Sequence, residues 1–397
     1  MKRNSLLFGF ILFAYSAIAQ NYLSKSDMVK IDFKILGEKK QYLNRKTNSF
    51  MPAYVTLTKN CEKLLLLNPL SVVQKIATPP SGNKHDYMSI APYWWPDPSK
   101  PNGLPYIRKD GEVNPETADY TDKSNMTKMS ESVYDLSLGY YFAGDERFAK
   151  KAVELMHTWF VDTATRMNPH LNYGQAVKGV ISGRAEGLID SRHFIFLIDG
   201  IQLIQKSPYY TKDFDLQMKH WFTQFLQWME QSEIGKDEWN AKNNHGIWYD
   251  AQALSYALFI KDTAHAHQIL NRSIQRLEQQ LDVHGYFPLE MARTTSFHYS
   301  AFILNAFTVI AQLAENLQVD LWHLKLKDQK SLELAFTTLI PFLKKEKEWV
   351  GPQIKPFDFE NGFPLLLRAA TKYKCDNCME FIYKNAADSP KNLIRLL

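Results

Sequence analysis

The sequence predicts an all-α fold, and three observations support that prediction. Apolar residues recur at the 3.6-residue period of a helix from about Thr127 onward, chain breakers separate the periodic segments, and strand-like alternation is scarce. Because no short sequence period repeats, a regular solenoid of stacked repeats is disfavoured. We therefore predict an α/α toroid, an incomplete double-layered helical barrel, with a long aromatic-rich loop near its central cleft.

Eight segments show the helical period and are separated by breakers such as Gly144-Asp145 and Ser207-Pro208. The predicted helices cover residues 130–142, 146–161, 191–205, 213–229, 246–260, 264–281, 296–316 and 331–343. Such a succession of helical hairpins suits a ring in which inner and outer helices alternate. The cavity of that ring would be lined by loops and by the first turns of inner helices.

The segment from about Thr78 to Lys123 is rich in Pro, Gly, Asp and Tyr and has no helical period. Its cluster Tyr93-Trp94-Trp95-Pro96 argues against disorder, because large aromatic rings are not left in water without a surface to cover. We predict an ordered loop that covers part of the cleft. The alternative is a loop whose aromatic rings only plug the outside of the helical ring.

Residues 1–19 have the features of a secretory signal. Lys2 and Arg3 precede an almost wholly apolar run, and Ala17-Ile18-Ala19 before Gln20 is a small-residue cleavage site. The apolar run is too short to span a bilayer, and no cysteine follows it to accept a lipid. We predict cleavage after Ala19, one toroid domain over residues 20–397, and a periplasmic or secreted protein without membrane insertion.

Charge and cysteine content exclude several classes of protein. Removal of Lys2 and Arg3 lowers the formal net charge from +5 to +3, and no basic stripe marks a nucleic-acid interface. A local basic cleft for a polyanionic sugar remains compatible with this balance. Three cysteines cannot all pair internally, and for Cys375 and Cys378 a disulfide or free thiols are favoured over a zinc half-site. The sequence predicts no metal and no cofactor, and it leaves the oligomeric state open.

Two polar clusters stand at the start of predicted helices. The first is Asn243-Asn244-His245-Gly246, and the second is Glu290-Met291-Ala292-Arg293 followed by Ser296, His298 and Tyr299. Together they supply an amide, an imidazole, a guanidinium and a phenol. Such a set suits the β-elimination of a uronic-acid polysaccharide, in which a carboxylate is neutralised, a carbon-bound proton is removed and a leaving oxygen is protonated.

Several separated motifs resemble the alginate lyase domain superfamily of bacterial polysaccharide lyases. The motifs are residues 88–98 (MSIAPYWWPDP), 103–111 (GLPYIRKDG), 114–116 (NPE), 183–184 (GR), 189–192 (IDSR), 243–246 (NNHG) and 288–290 (PLE), with Arg293, Thr294 and Tyr299. The resemblance runs from about residue 80 to 370. It implies an α/α toroid and lyase activity on alginate or a related polyuronate such as glucuronan. It also implies an active site at Asn244, His245, Arg293 and Tyr299.

The chemistry of these four residues suggests a role for each. Asn244 as a hydrogen-bond donor and Arg293 as a cation would offset the carboxylate of the substrate. The dipole of the following helix would favour neutral imidazole at His245, which could accept the C5 proton or hold the carboxyl group. Tyr299 would return a proton to O4, and it would also be the base when the C5 proton and O4 lie on the same face. When they lie on opposite faces, His245 is the better base.

Twelve further residues are predicted to bind substrate, because they combine polar or aromatic side chains with positions in loops and helix starts. They are Tyr93, Trp94, Trp95, Asn172, Tyr173, Gln175, Arg184, Arg192, Trp248, Tyr249, Glu290 and His298. Glu290 is expected to orient Arg293. Alternatively, Arg184 with Glu186 or Asp190, and Arg192 with Asp190, would form internal ion pairs.

Two other functions compete with the lyase. A glycoside hydrolase on a similar toroid would use two carboxylates, such as Asp250 and Glu290, as acid and as base or nucleophile. An exported glycan-binding protein would keep the aromatic residues but would have no need of Tyr299. The predicted partner is an acidic polysaccharide.

Overall fold

The structure is a computed structural model that describes residues 33–43 and 50–386, so the predicted signal sequence lies outside the described residues. Helices dominate the fold, as predicted. They are α1 (Phe33–Leu43), α2 (Met51–Leu64), α3 (Thr121–Ala143), α4 (Glu146–Met156), α5 (Phe194–Ile204), α6 (Lys212–Gln231), α7 (Glu233–Asn240), α8 (Asn244–Phe259), α9 (Thr263–Gln280), α10 (Pro288–Met291), α11 (Ser296–Asn316), α12 (Leu332–Leu343), α13 (Phe363–Lys372) and α14 (Asp376–Asn385).

The helices form the two layers of an α/α toroid. Helices α3, α5, α8, α11 and α13 each pack against the next and so form the inner layer. Helices α4, α6, α9 and α12 pack against the outside of these inner helices. All five inner helices contribute residues to one large central cavity. The predicted fold class is therefore confirmed.

Three predicted helices have at least one boundary that differs from the observed one by three residues or more. Helix α3 begins at Thr121, well before the predicted residue 130, because its first turns are held by buried Asp122, which pairs with Lys75 at 2.9 Å. The predicted helix 191–205 is a 3₁₀ helix over Ala185–His193 that continues into α5. The predicted helix 146–161 ends in a π-helical turn over His157–Val161.

Helices α1, α2, α7, α10, α13 and α14 lie outside the eight segments predicted from the helical period. Helix α7 shows the reason most clearly, since only Gly235 and Glu238 of its eight residues are buried. A helix with so little apolar surface gives no periodic stripe in the sequence. Its N-terminus is nonetheless capped, because the Ser232 hydroxyl accepts a hydrogen bond from the Gly235 amide.

The aromatic-rich loop is ordered and reaches the cavity. Among the described residues it holds three of the four short strands, which are β1 (Met88–Ile90), β2 (Trp94–Trp95), β3 (Ile107–Arg108) and β4 (Tyr173–Ala176). Strand β1 pairs with β4 in parallel, and β2 pairs with β3 in antiparallel orientation. Tyr93 and Trp94 line the cavity. The prediction that this loop covers part of the cleft is confirmed.

Helix α11 is an inner helix of 21 residues, and its length and composition alone would allow it to cross a membrane. In its most apolar window 78% of the residues are buried inside the fold. Its apolar character therefore serves packing at the centre of the toroid.

The cysteines divide into one disulfide and one thiol. Cys375 and Cys378 are joined, as one of the two favoured possibilities predicted, and this pairing removes the zinc half-site. Cys61 is buried in the core, and burial raises the pKa of its thiol to about 12. A thiol of that kind behaves as a small apolar side chain.

A buried carboxylate ties the start of α8 to its neighbours. The Asp250 side chain is inaccessible to solvent and pairs with Arg272 at 2.6 Å and with Arg276 at 2.8 Å, both on α9. Arg276 also donates a hydrogen bond of 2.9 Å to the Ala241 carbonyl in the turn before α8. Asp250 therefore holds two helices and a turn in register and faces away from the cavity, which contradicts its use as a hydrolase acid or base.

Replacing Asp250 by asparagine should destabilise the fold, because the buried Arg276 and the partly buried Arg272 lose their counter-charge. We expect a loss of about 3–5 kcal/mol in the free energy of unfolding, measured by urea denaturation. Asp213→Asn, a change of the same kind at an exposed position, is the control. Unchanged stability in Asp250→Asn would contradict this structural role.

Candidate active site

One cavity of about 1300 Å³ occupies the centre of the toroid. Asn244, His245, Arg293 and Tyr299 all line it, although they come from two stretches some fifty positions apart. Helix α8 supplies the first pair, the turn after α10 supplies Arg293, and the first turn of α11 supplies Tyr299. The structure thus brings the four groups of the two polar clusters into a single enclosed space.

The first turn of α8 is fixed by close backbone contacts. The Asn243 side chain caps the helix by accepting a hydrogen bond of 3.1 Å from the His245 amide. A Cβ atom at Gly246 would lie 2.1 Å from the Ala241 carbonyl oxygen, so only glycine fits. Asn243 therefore serves as the N-cap of α8. The next two residues, Asn244 and His245, line the cavity.

Asn244 is bound by Glu290 beneath the cavity surface. Its backbone amide and its side-chain amide both donate to the Glu290 carboxylate, at 2.7 Å and at 2.9 to 3.0 Å. The Asn244 Oδ1 atom is buried without a hydrogen-bond partner among the described residues. Glu290 is itself fully buried and does not line the cavity, so the expectation that it orients Arg293 is wrong; it orients Asn244.

His245 is paired with a carboxylate. Its Nδ1 lies 2.7 Å from Oε1 of Glu238, whose side chain is 2% exposed, and this leaves Nε2 available to a ligand in the cavity. Burial lowers the pKa of His245, but Glu238 at contact distance and Glu186 further away raise it by more, so that the net pKa lies above the ordinary value. The predicted preference for neutral imidazole is therefore wrong, because a full charge in contact outweighs the partial charge of a helix end.

Arg293 joins the aromatic-rich loop to the second polar cluster. Its guanidinium forms two hydrogen bonds with the Asp110 carboxylate, at 2.7 and 3.1 Å, and Thr294 donates a third at 3.1 Å. Burial alone would raise the pKa of Asp110, but these donors lower it to about 2. The ion pair uses Nε and Nη2, so Nη1 remains for a substrate.

Tyr299 lies between Arg293 and the loop. The Arg293 guanidinium carbon is 3.6 Å from the centre of its ring, and its hydroxyl donates a hydrogen bond of 3.0 Å to the Tyr93 hydroxyl. Burial and then the neighbouring Tyr93 raise the pKa of Tyr299, and Arg293 offsets only part of that rise. The phenol is therefore protonated in this state, which suits a proton donor.

Seven of the twelve further candidates line the cavity: Tyr93, Trp94, Gln175, Arg184, Arg192, Trp248 and His298. Arg184 pairs with Glu186 at 2.9 Å and lies over the Trp94 ring, so its predicted internal ion pair exists within the cavity wall. The Trp248 ring packs against Phe302, which occupies a face that was expected to stack on sugar.

The other five do not line the cavity. The Trp95 indole donates to the Glu112 carbonyl, the Asn172 side chain accepts from Trp228, and the Tyr249 hydroxyl donates to the Met229 carbonyl. Tyr173 lies in strand β4, and Glu290 lies behind Asn244. These five residues lie outside the cavity lining, so their role in substrate binding stays a prediction that the cavity does not support.

Sequence reasoning missed the two carboxylates that support the site. Asp110 stands within a motif that was recognised, but nothing in the sequence links it to a residue 183 positions away. Glu238 is one of three acidic residues in α7, beside Glu233 and Asp237, and only the fold shows which of them is buried. In the described part of the chain, no group of three or more His, Cys, Asp or Glu side chains could hold a metal ion.

The fold and its central cavity place the protein in the class of α/α toroids. Alginate lyase A1-III from Sphingomonas species A1 has this architecture, with a TM-score of 0.55 and 17% identity over 88% of this chain and 91% of that one. A variant of A1-III complexed with a tetrasaccharide gives a TM-score of 0.55 and 14% identity, covering 86% of this chain and 88% of the other.

The chain belongs to the alginate lyase family, whose model matches residues 71–349. An alginate lyase from Bacteroides ovatus, known from its crystal structure, is 37% identical, with a TM-score of 0.87 over 93% of this chain and 98% of that one. No curated protein sequence gives a significant match. The protein is thus a polysaccharide lyase enzyme, and its family was correctly indicated by the sequence motifs.

Replacing Glu238 by glutamine should shift the pH dependence of lyase activity. Without the carboxylate the pKa of His245 falls, so the limb of the kcat/KM profile that follows His245 moves to lower pH. The acid limb moves if the neutral imidazole acts, and the alkaline limb moves if the imidazolium acts. Glu233→Gln, in the same helix and exposed, is the control. A profile in which neither limb moves would contradict the pairing.

Replacing Asp110 by asparagine should lower kcat/KM about 10-fold to 100-fold, because a charged pair is lost and Arg293 is no longer fixed. The pair's contribution to stability is complete above about pH 4 and is lost as the pH falls through the folded pKa near 2, since that pKa is depressed. Asp119→Asn, exposed on the same loop, is the control. If Asp110→Asn and Asp119→Asn have the same kcat/KM, the ion pair between Asp110 and Arg293 is not required for activity.

Proposed function

We propose that the protein cleaves alginate, or a related 4-linked polyuronate such as glucuronan, by β-elimination. The observation that supports this is the convergence of an imidazole, a guanidinium and a protonated phenol in one cavity. Family membership and the alginate lyase from Bacteroides ovatus support the substrate class. The cavity also contains several further cations, among them Arg108, Arg184 and Lys355, which suit a polyanion.

The first task of the site is to offset the charge of the substrate carboxylate, because loss of the neighbouring C5 proton creates a second negative charge. The Nη1 group of Arg293 and the His245 ring can both approach that carboxylate from the cavity wall. Preorganised donors of this kind each contribute about 2.7–4 kcal/mol of transition-state stabilisation.

The Asn244 side chain can donate a hydrogen bond to the substrate only if its amide group flips, so that Nδ2 and Oδ1 exchange places. In the present orientation both Asn244 amide groups donate to Glu290. A protonated Glu290 would donate to Oδ1 instead and would free the Asn244 Nδ2 group for the substrate. Burial raises the pKa of Glu290, which favours that state. Asn244 therefore acts in the proposed reaction through its contact with Glu290.

Tyr299 is the proposed proton donor to the departing O4, since its phenol stays protonated in the free enzyme. For a substrate whose C5 proton lies on the opposite face, His245 in its neutral form is the proposed base. Contact with Glu238 makes that imidazole a stronger base, as a carboxylate does for a histidine in other acid-base sites. For a substrate with both groups on one face, Tyr299 must first lose its proton.

The products of incubation with substrate distinguish the lyase from its two rival functions. A hydrolase would yield saturated ends, but its candidate carboxylates are both buried, with Asp250 paired to arginines and Glu290 bonded to Asn244. A binding protein would give affinity and no product. Purified polyuronates incubated with the enzyme should show rising ultraviolet absorbance from the conjugated double bond. New reducing ends without absorbance would overturn the β-elimination.

Replacing Tyr299 by phenylalanine should abolish turnover while substrate binding is retained. Loss of a general acid typically lowers kcat by about 10²-fold to 10⁴-fold. The measurement is kcat from absorbance together with the affinity for alginate oligosaccharides. Tyr209→Phe, which removes the hydroxyl of an exposed tyrosine outside the cavity lining, is the control. An active Tyr299→Phe enzyme would assign the proton donor to another group.

We also propose that the enzyme is exported and acts in the periplasm or outside the cell. The charged start, apolar run and small-residue site of residues 1–19 support this. Determination of the N-terminal residue of the protein purified from its host, expected to be Gln20, tests the proposal.

A further inference from the structure

The cavity continues well beyond the proposed catalytic residues. Along α11 it is lined by Tyr299, Phe302, Asn305, Val309 and Gln312. These residues span thirteen positions, which is about 20 Å at the rise of an α-helix. A cavity of that length holds several consecutive sugars, so contacts away from the cleaved bond contribute to the choice of substrate.

Arg192 is a cation in this wall without a carboxylate partner. Its Nη1 donates to the Ile189 carbonyl at 3.0 Å, and among the described residues no carboxylate lies within ion-pair distance of it. The neighbouring Asp190 pairs instead with Lys123 at 2.9 Å and acts on Arg192 only from further away, as does Glu131. The predicted Arg192–Asp190 pair is therefore wrong. A largely buried cation of this kind favours an anionic ligand.

A second unused donor stands nearby. The Trp248 indole N–H is buried and has no acceptor among the described residues, and Trp248 lines the cavity. The Trp248 ring lies 5.0 Å from the ring of Phe302, and the Arg192 guanidinium carbon lies 5.6 Å from the centre of that same ring. An unpaired cation and an unpaired N–H thus flank one aromatic side chain.

The positions of Trp248 and Phe302 along their helices relate them to the proposed catalytic residues His245 and Tyr299. Trp248 follows His245 by three residues on α8, and Phe302 follows Tyr299 by three residues on α11. Both steps equal about one helical turn, or about 4.5 Å along the axis. That distance is comparable with the step between successive rings of a 4-linked chain.

We propose that Arg192 and Trp248 form a subsite for the carboxylate of the sugar next to the one that loses its C5 proton. This inference rests on the proposed function. It makes the enzyme selective for chains with consecutive uronates, and it disfavours glycans in which acidic and neutral sugars alternate. Arg192 supplies the counter-charge, and the Trp248 N–H supplies a directed hydrogen bond.

The test compares alginate with alginate in which part of the carboxyl groups have been reduced to alcohols. Wild-type kcat/KM should fall more steeply than the fraction of carboxylates removed. Arg192→Gln should lower kcat/KM on alginate about 10-fold to 100-fold, mainly through KM, and should lose little more on the reduced polymer. Trp248→Phe, which keeps a ring and removes the N–H, should lower it about 3-fold to 10-fold.

Two controls separate this subsite from a structural effect. Lys206→Gln removes an exposed charge outside the cavity and should leave both substrates unaffected. Arg192→Lys keeps the charge and should retain much of the discrimination, and melting temperatures identify any variant that fails to fold. If Arg192→Gln misfolds, Trp248→Phe and Arg192→Lys decide the outcome.

The inference is overturned if the folded variants and the wild type show the same dependence on carboxylate content. It is likewise overturned if the wild type cleaves polymers with alternating acidic and neutral sugars as efficiently as alginate. Failure of the proposed function looks different, because the wild-type enzyme would then give no absorbance with any polyuronate.

Discussion

The ion pair between Asp110 and Arg293 is the interaction on which the rest of the site depends. It fastens the aromatic-rich loop to the turn before α11, and it does so beside the ring of Tyr299. The same loop brings Tyr93 within 3.0 Å of the Tyr299 hydroxyl. Without this contact the toroid would still have a cavity, but one wall would carry no fixed phenol and no fixed guanidinium.

The site follows a common electrostatic rule. Three of the four groups proposed to act on substrate are held by a carboxylate: His245 by Glu238, Asn244 by Glu290 and Arg293 by Asp110. Because these partners are wholly or partly buried, their charges act through a medium that screens poorly and they hold side chains in one orientation. Glu238 and Asp110 also raise the pKa values of His245 and Arg293, against the effect of burial.

The sequence alone was sufficient for the fold class, the long inner helices and the two polar clusters, because these features leave periodic or local signals. Helix α11 was predicted with its observed ends, 296–316. Helix α7 was missed because it buries almost no apolar side chain. Tyr249 and Asn172 were wrongly predicted to face the cavity, and Glu238 was not predicted to support it. The reason is the same for all three. Packing across the ring, and not the neighbouring residues in the sequence, decides which side of a helix or loop faces the cavity.

The distance along the chain between the two halves of the site has a consequence for how activity arises during folding. Asp110 and Arg293 are 183 positions apart, and Tyr93 and Tyr299 are 206 apart. Contacts of such long range close large loops and form late, whereas hairpins of adjacent helices form early. We therefore expect helix content to recover before activity on refolding, so that circular dichroism alone is a poor measure of the competent fraction.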